Sequence, residues 1–437
     1  MDLFSYLLGK KAGGGGVTPT GTINITENGT VDVTNYATAN VSVSGGGGST
    51  EEKDVNFYDY DGTLVKAYTK NEFLALETLP ENPTHDGLTA DGWNWELADA
   101  KTYVTNNGIL DIGQTYTPTD GKVHIFIKLD KINKSPYLGF AVNGTATINW
   151  GDGNSEDVTG SSTNTVLYTQ HNYTNGGEYE ITIDSTNKLY FSGSSSSTSY
   201  LLVDNNSSVT NQNVYQGCVK KIYLNNNCEC KMYAFQKLVN MESIVIPSNV
   251  TYSNGLVAYC YSLKNIVIPS GNNLQPYICS NCFDLKTACL PKTVNMTSSD
   301  PFSYCTSLTR LTCSSYNATS CSNGFTTYST NIEKIVIPNN LTTLGGNFIS
   351  NNNKMKTIKI PNSITTISGS SVFNYCKNLQ EYDFTSLDHV PTLSSNSAFS
   401  YGFPAYKIIV PDSLYSTWVA ADKWSGISSH IIKASEV

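Results

Sequence analysis

From about residue 205 to the C-terminus the chain repeats itself, and that repeat limits its fold more than any other feature. The segments KIYLN, SIVIP, NIVIP, TACLP, RLTCS, KIVIP, TIKIP, EYDFT and KIIVP end at residues 225, 247, 269, 291, 314, 338, 361, 385 and 411. A period of 22 to 26 residues holds one short strand, a turn and a return, and such units stack into a solenoid. A second motif precedes most strands at a fixed offset. It is plainest as Phe302-x-x-Cys305-x-x-Leu308 and Phe373-x-x-Cys376-x-x-Leu379, with Val257/Cys260/Leu263, Cys279/Cys282/Leu285 and Phe235/Leu238/Met241 at the same spacing. Stacking sets like positions over like, so these residues and the two apolar residues of each strand predict one continuous core. The final PDSLYSTWVAADKW reads as a capping helix, with Trp418 and Trp424 over the open end.

Upstream, the chain divides at glycine runs. GGGG at 13–16 and at 45–48 are flexible linkers. Before the first, Leu3 with Leu7 and Phe4 with Leu8 share one face of a short helix that needs a partner to bury it. Between the linkers, INITENGTVDV reads as strand, Asn28-Gly29 turn, strand, followed by a third short strand, ANVSV. That piece is too small to stand alone and is expected to oligomerise or pack on a neighbour. Helical spacing in NEFLALETL (71–79) and WELADAKTYV (95–104), with strands around them, predicts a small α+β connector. TATINWGDG, TVLYTQHNY and EYEITI predict strands bounded by turns.

The formal net charge of −9, with few charged residues (14%), disfavours nucleic-acid binding. No stretch approaches the length of a membrane span. MDLFSYLLGKK carries Asp2 where a secretion signal has positive charge, so synthesis in a cytosol without a signal peptide is expected. The 11 cysteines are odd in number and sit largely in the repeat's core register, which favours buried free thiols over disulfides, zinc or redox chemistry.

Two acidic stretches invite chemical readings. VNFYDYDGTL carries Asp59-x-Asp61-Gly62-Thr63, the lettering of a dehalogenase-type phosphatase loop. That chemistry needs a buried parallel strand in a doubly wound sheet. The residues before Asp59 alternate and predict a half-exposed hairpin strand turning at Asp61-Gly62. No catalytic residue and no cofactor is therefore expected. In Trp150-Gly151-Asp152-Gly153, Asp152 is expected to cap its own turn, with a calcium ion on Asp152, Glu156 and Asp157 as the lesser reading.

Residues 205–437 resemble the BspA-type leucine-rich repeats of bacterial and phage surface proteins. The signs are the recurring Ile-x-Ile-Pro, the Phe-x-x-Cys-x-x-Leu return and the closing IIVPDSLYSTWVAADKW. Trp150-Gly151-Asp152-Gly153 with His171-x-Tyr173 and Gly177-x-Tyr179 resembles a PKD-like β-sandwich module. The N-terminal half is similar to structural proteins of tailed phages and prophages of gut Firmicutes. The resemblance implies a mainly β, multidomain, non-enzymatic virion surface protein, such as a fibre, tail-tip or head decoration. Its modules would be an anchor peptide with linker (1–16), a short β repeat with linker (17–50), an α+β connector (51–140), a PKD-like sandwich (141–204) and a leucine-rich-repeat solenoid with its cap (205–437). It would attach to another virion protein through residues 1–11, using Leu3, Phe4, Leu7 and Leu8, and bind a host-surface protein or polysaccharide through the repeats. A bacterial surface adhesin and a purely structural decoration are the alternatives.

In each repeat strand the residue between the two inward ones faces outward. These are Tyr223, Val245, Val267, Cys289, Thr312, Val336, Lys359, Asp383 and Ile409. The apolar or aromatic members Tyr223, Val245, Val267, Cys289 and Val336 predict a covered stripe, by a binding partner or a second copy of the chain. The competing reading is that outward valine is simply a good strand former. The 28 tyrosines and the Asn/Ser-rich turns suit sugar recognition and suit a polar solenoid surface equally well.

Overall fold

The computed structural model describes residues 52–132, 134–192, 201–204, 215–271, 274–292, 300–312, 326–400 and 402–437, and the backbone alone at 22–24, 40–42, 213–214 and 320–321. The chain forms two units, 1–51 and 52–437. In the first, β1 (Thr22–Asn24) pairs with β2 (Asn40–Ser42) in parallel, so the ANVSV segment pairs with the first strand of its repeat. The Asn28-Gly29 turn and the anchor residues Leu3, Phe4, Leu7 and Leu8 lie outside the described residues.

The second unit opens with a four-stranded sheet in the order β4-β3-β6-β5: β3 (Val55–Tyr58), β4 (Leu64–Tyr68), β5 (Leu88–Trp93) and β6 (Leu110–Pro118). β3 and β4 form the predicted hairpin. Asp59 N–H donates to Thr63 O (2.9 Å), Asp61 Oδ1 accepts Thr63 N–H (2.9 Å), and Gly62 supplies the positive φ of 91° that the turn requires. The helix Lys70–Leu74 starts at a Thr69/Glu72 capping box, and Leu97–Asn107 ends at Gly108. Phe73, Ala100 and Val104 from these helices pack on Val55, Phe57, Leu110 and Ile112 of the sheet.

The strands that follow, where a PKD-like sandwich is expected at 141–204, are joined to the solenoid. β7 (Val123–Leu129), β8 (Tyr137–Asn149), β9 (Ser155–Gln170), β10 (Gly177–Asp184), β11 (Leu189–Phe191) and β12 (Leu202–Val203) belong to one sheet with the first coils. β7 pairs with the first repeat strand, β13 (Val219–Tyr223), and β11 pairs with β14 (Cys228–Cys230), which starts a second row of short strands. The antiparallel strands thus bridge the two sheet faces of the first coil, where an open end would otherwise expose the core. The boundary also moves: β7 lies inside the expected connector yet belongs to this cap, so the α+β piece ends near Pro118.

Beyond it, coil follows coil in parallel register: Lys221 opposite Ser243, Asn265 opposite Thr287, Arg310 opposite Lys334, Thr357 opposite Glu381, and Glu381 opposite Lys407. One core cluster runs from Val123 to Ile431 and contains the motif residues Phe235, Cys260, Cys282, Phe302, Cys305, Phe373 and Cys376. At the C-terminal end Trp418 and Trp424 are buried as the capping segment predicts. A last strand, Ile431–Lys433, adds to Lys407–Val410 and was not foreseen.

Candidate functional site

The expected cover over the strand stripe exists, and it is the chain's own α+β domain. Val245 and Val267 are 2% and 6% exposed. Val245 packs with Tyr60, Leu88, Tyr116 and Tyr223; Val267 and Cys289 pack with Tyr58; Val336 packs against the cluster of Phe57 and Phe73. Tyr223, Val245, Val267 and Val336, expected to meet an external partner, are therefore occupied within the chain. The same contact corrects β3. All four of its residues are buried, because one face packs on the helices and the other on the solenoid.

Polar groups fix the docking. Arg310 pairs with Asp111 at 2.9 Å and donates to the carbonyls of Lys53 and Asp54 at 2.7 Å. Asn56 donates to the other Asp111 oxygen. Burial pushes the Asp111 carboxyl up, and Arg310 and Asn56 act against that shift. Asn94 donates to the carbonyls of Ile268 and Cys289, Trp95 to that of Leu290, and Asn265 to that of Asp59. Backbone meets side chain most closely at Gly113, where a Cβ would lie 2.6 Å from both Val267 methyls.

The turn face of the coils is a different surface. Lys237, Tyr259, Asn281, Tyr304, Tyr328, Asn351 and Tyr375 occupy one position per coil, each with φ between 55° and 63°. Their N–H groups join coil to coil: Tyr259 to Ser280 O, Asn281 to Ser303 O, Tyr304 to Thr327 O and Tyr328 to Ser350 O. Four residues before this row a second one carries Tyr233 and Tyr277, again at positive φ. Left-handed backbone suits Gly and Asn; a tyrosine there costs of order 1 kcal/mol. Tyr259, Tyr277, Tyr304, Tyr328 and Tyr375 are 37 to 43% exposed, so burial does not offset that cost. Tyr304 and Tyr328 stack at 4.7 Å, and Tyr261 stacks on Phe283 at 4.9 Å. A cleft of about 360 Å³ opens among Tyr233, Tyr259, Tyr277, Asn281, Asp300 and Tyr304.

A family model of BspA type leucine rich repeat regions, in six copies, matches residues 184–309 and 272–404, just over half of the chain. The chain belongs to the BspA-type leucine-rich-repeat family. No curated protein matches it. Among solved structures it is similar to a leucine-rich repeat protein from Bacteroides ovatus (20% identity, TM-score 0.32), covering 46% of this chain and 61% of that one. It is also similar to a leucine rich cell surface protein from Faecalibacterium prausnitzii (14% identity, TM-score 0.20), covering 51% of this chain and 88% of that one.

Within the BspA-type coils Cys228, Cys230, Cys260, Cys279, Cys282, Cys289, Cys305 and Cys376 are free and buried. The motif thiols do more than fill space. Those of Cys260, Cys282 and Cys305 donate to the carbonyls of Phe235, Val257 and Cys279 in the preceding coil, at 3.1 to 3.2 Å. Burial pushes the Cys228 and Cys376 thiols up to about 12, so they are protonated at neutral pH and poor nucleophiles.

Asp59 sits in the hairpin turn of a mixed four-stranded sheet, 4% exposed, with one carboxylate oxygen bonded to Tyr60 N–H and the other 2.6 Å from His85 Nε2. Its backbone carbonyl accepts from Asn265 of the solenoid at 2.8 Å. The three carboxylates of the calcium reading are separately engaged. Asp152 accepts from Asn154 N–H and contacts His171 Nε2 at 2.8 Å, Glu156 accepts from Trp150 Nε1, and Asp157 accepts from Thr147 Oγ1. Among the described residues no group of three or more His, Cys, Asp or Glu is placed to hold a metal ion. Asp152 caps its turn as expected, and the turn is further fixed by His171 stacked on Trp150 at 4.7 Å.

The sequence did not reveal Arg310, Asn94, Trp95 or Asn265. One signal was available: Arg310 is the single arginine among 27 basic residues, and arginine is the cation suited to a buried bidentate role.

Proposed function

We propose that this protein is a non-enzymatic surface-displayed binding protein that engages its target through the turn face of its BspA-type coils. The observation that carries the reading is the row of tyrosines held at positive φ and left exposed. Strained backbone that holds a large, exposed side chain argues for a role of that side chain outside the fold. Over the first coils the strand face is already taken, because the domain of residues 52–118 packs on Tyr223, Val245, Val267 and Cys289. Among the described residues no helix is long and apolar enough to cross a membrane.

The display site in this reading is the surface of a tailed-phage virion, with residues 1–11 docking Leu3, Phe4, Leu7 and Leu8 on another virion protein and the glycine linkers giving reach. The target is a protein or polysaccharide of the host surface. The full chain is the right probe, since a solenoid fragment would expose the stripe that its own domain covers. Labelled full-length protein binds candidate host cells, and combined Tyr259→Asn, Tyr304→Asn and Tyr328→Asn substitution abolishes binding without unfolding. Unchanged binding by that variant sinks the turn-face reading. Absence of the protein from purified virions by mass spectrometry sinks the virion reading.

A further inference from the structure

We infer that the cleft between Tyr259 and Tyr304 is a site for an organic ammonium group. The inference rests on the turn-face reading and names the chemistry of its ligand. Tyr259, Asn281 and Tyr304 occupy the same position in three successive coils, joined by N–H to carbonyl bonds of 2.8 to 2.9 Å. Adjacent hydrogen-bonded strands lie about 4.8 Å apart, so Tyr259 and Tyr304 stand about 10 Å apart across the smaller Asn281. A cation midway is about 5 Å from each ring, within the roughly 6 Å at which a ring face attracts a cation. Where tyrosines occupy adjacent coils, as Tyr304 and Tyr328 do, the rings close on each other at 4.7 Å and leave no such gap. The asparagine therefore makes the slot.

The rest of the lining matches a cation. Tyr277 is 39% exposed and belongs to the cleft, as does Tyr233. Asp300 is the acidic residue of the lining, which contains no Lys, Arg or His among the described residues. Its Oδ1 accepts from the Thr327 hydroxyl at 2.7 Å, and among the described residues it forms no ion pair. The Ser280 and Ser303 hydroxyls bond each other at 3.0 Å. Burial raises the Asp300 carboxyl above its ordinary value, opposed by the Thr327 bond. A half-buried carboxylate beside several ring faces is compensated by a cation; a neutral ligand leaves its charge unmatched.

The test titrates full-length protein with choline chloride and, in parallel, with its uncharged carbon isostere 3,3-dimethylbutan-1-ol, followed by calorimetry or by tyrosine fluorescence. Choline is expected to bind at least tenfold more tightly than the isostere. Asp300→Asn and Tyr304→Asn are each expected to weaken choline about fivefold, while Tyr304→Phe, which keeps the ring, leaves it within twofold. Equal binding of the two probes, binding of neither, or unchanged affinity in Asp300→Asn overturns the inference. Thermal unfolding of each variant separates loss of the site from loss of the fold. Cell binding measured on the same samples separates the two readings: cells bound with no choline effect overturns the ammonium site alone, and choline bound with no cell binding overturns the adhesive role alone.

Discussion

On the strand face Val245 and Val267 are 2% and 6% exposed, while on the turn face of neighbouring coils Tyr259 and Tyr277 are 37% and 39% exposed. Both faces are built by the same repeat, and both present apolar or aromatic side chains in a row. They differ in backbone. The strand face is flat and β-branched, and a second sheet lies on it with Gly113 in van der Waals contact. The turn face holds its rings on left-handed residues, from which they project outward. A repeat thus supplies two candidate binding surfaces, and over the first coils the chain itself occupies one of them.

Breaking the covered face should have the largest effect. Arg310→Ala leaves Asp111 buried without its ion-pair partner, a loss of about 3–5 kcal/mol, read by urea denaturation. Limited proteolysis of this variant should release the segment 52–118 first. The double change Arg310→Met with Asp111→Leu removes both charges and should recover most of that loss. Next in size is Gly113→Val, which drives side-chain atoms into Val267 and Cys289 and should cost about 1–3 kcal/mol with a gain in dye binding to the uncovered stripe. On the turn face, Tyr328→Asn should change stability by no more than about 1 kcal/mol, since asparagine accepts positive φ and only an exposed stack is lost. The smallest effect is acid-specific. Burial opposes ionisation of Asp152, yet the bonds from His171 and Asn154 hold its carboxyl below the usual range. A lowered folded pKa contributes stability that is fully present above the unfolded value of about 3.9 and is lost as pH falls through the folded value. The melting-temperature gap between the parent and Asp152→Asn should therefore persist at neutral pH and close only below about pH 4.

The coils were legible because stacking enforces a period, and the period fixes which residues are inward: Cys260, Cys305 and Phe373 all lie where the spacing placed them. The Asp61-Gly62 turn was legible from local chemistry. The cover of the stripe was not, because Val245 and Val267 meet Tyr116 and Gly113 across sequence separations that no local pattern encodes. The joining of the 141–204 strands to the coils was not legible for the same reason. β7 and β11 have ordinary strand patterns, and only their pairing with β13 and β14 reveals that they close a solenoid end. The turn-face row was present in the sequence as Tyr259, Asn281, Tyr304, Tyr328, Asn351 and Tyr375 at coil spacing. Its left-handed backbone, which gives the row its meaning, is visible only in the structure.

Hydroxyl-radical footprinting of the full-length protein, read by mass spectrometry at individual tyrosines, tests the division into a closed and an open face most directly. Tyr58, Tyr60 and Tyr116 are 2%, 6% and 1% exposed, against 42% for Tyr304 and 43% for Tyr328. The predicted result is strong labelling of Tyr259, Tyr304 and Tyr328, with Tyr58, Tyr60 and Tyr116 protected until the protein unfolds. Equal labelling of both sets in the native protein, or protection confined to the turn-face tyrosines, would contradict the account.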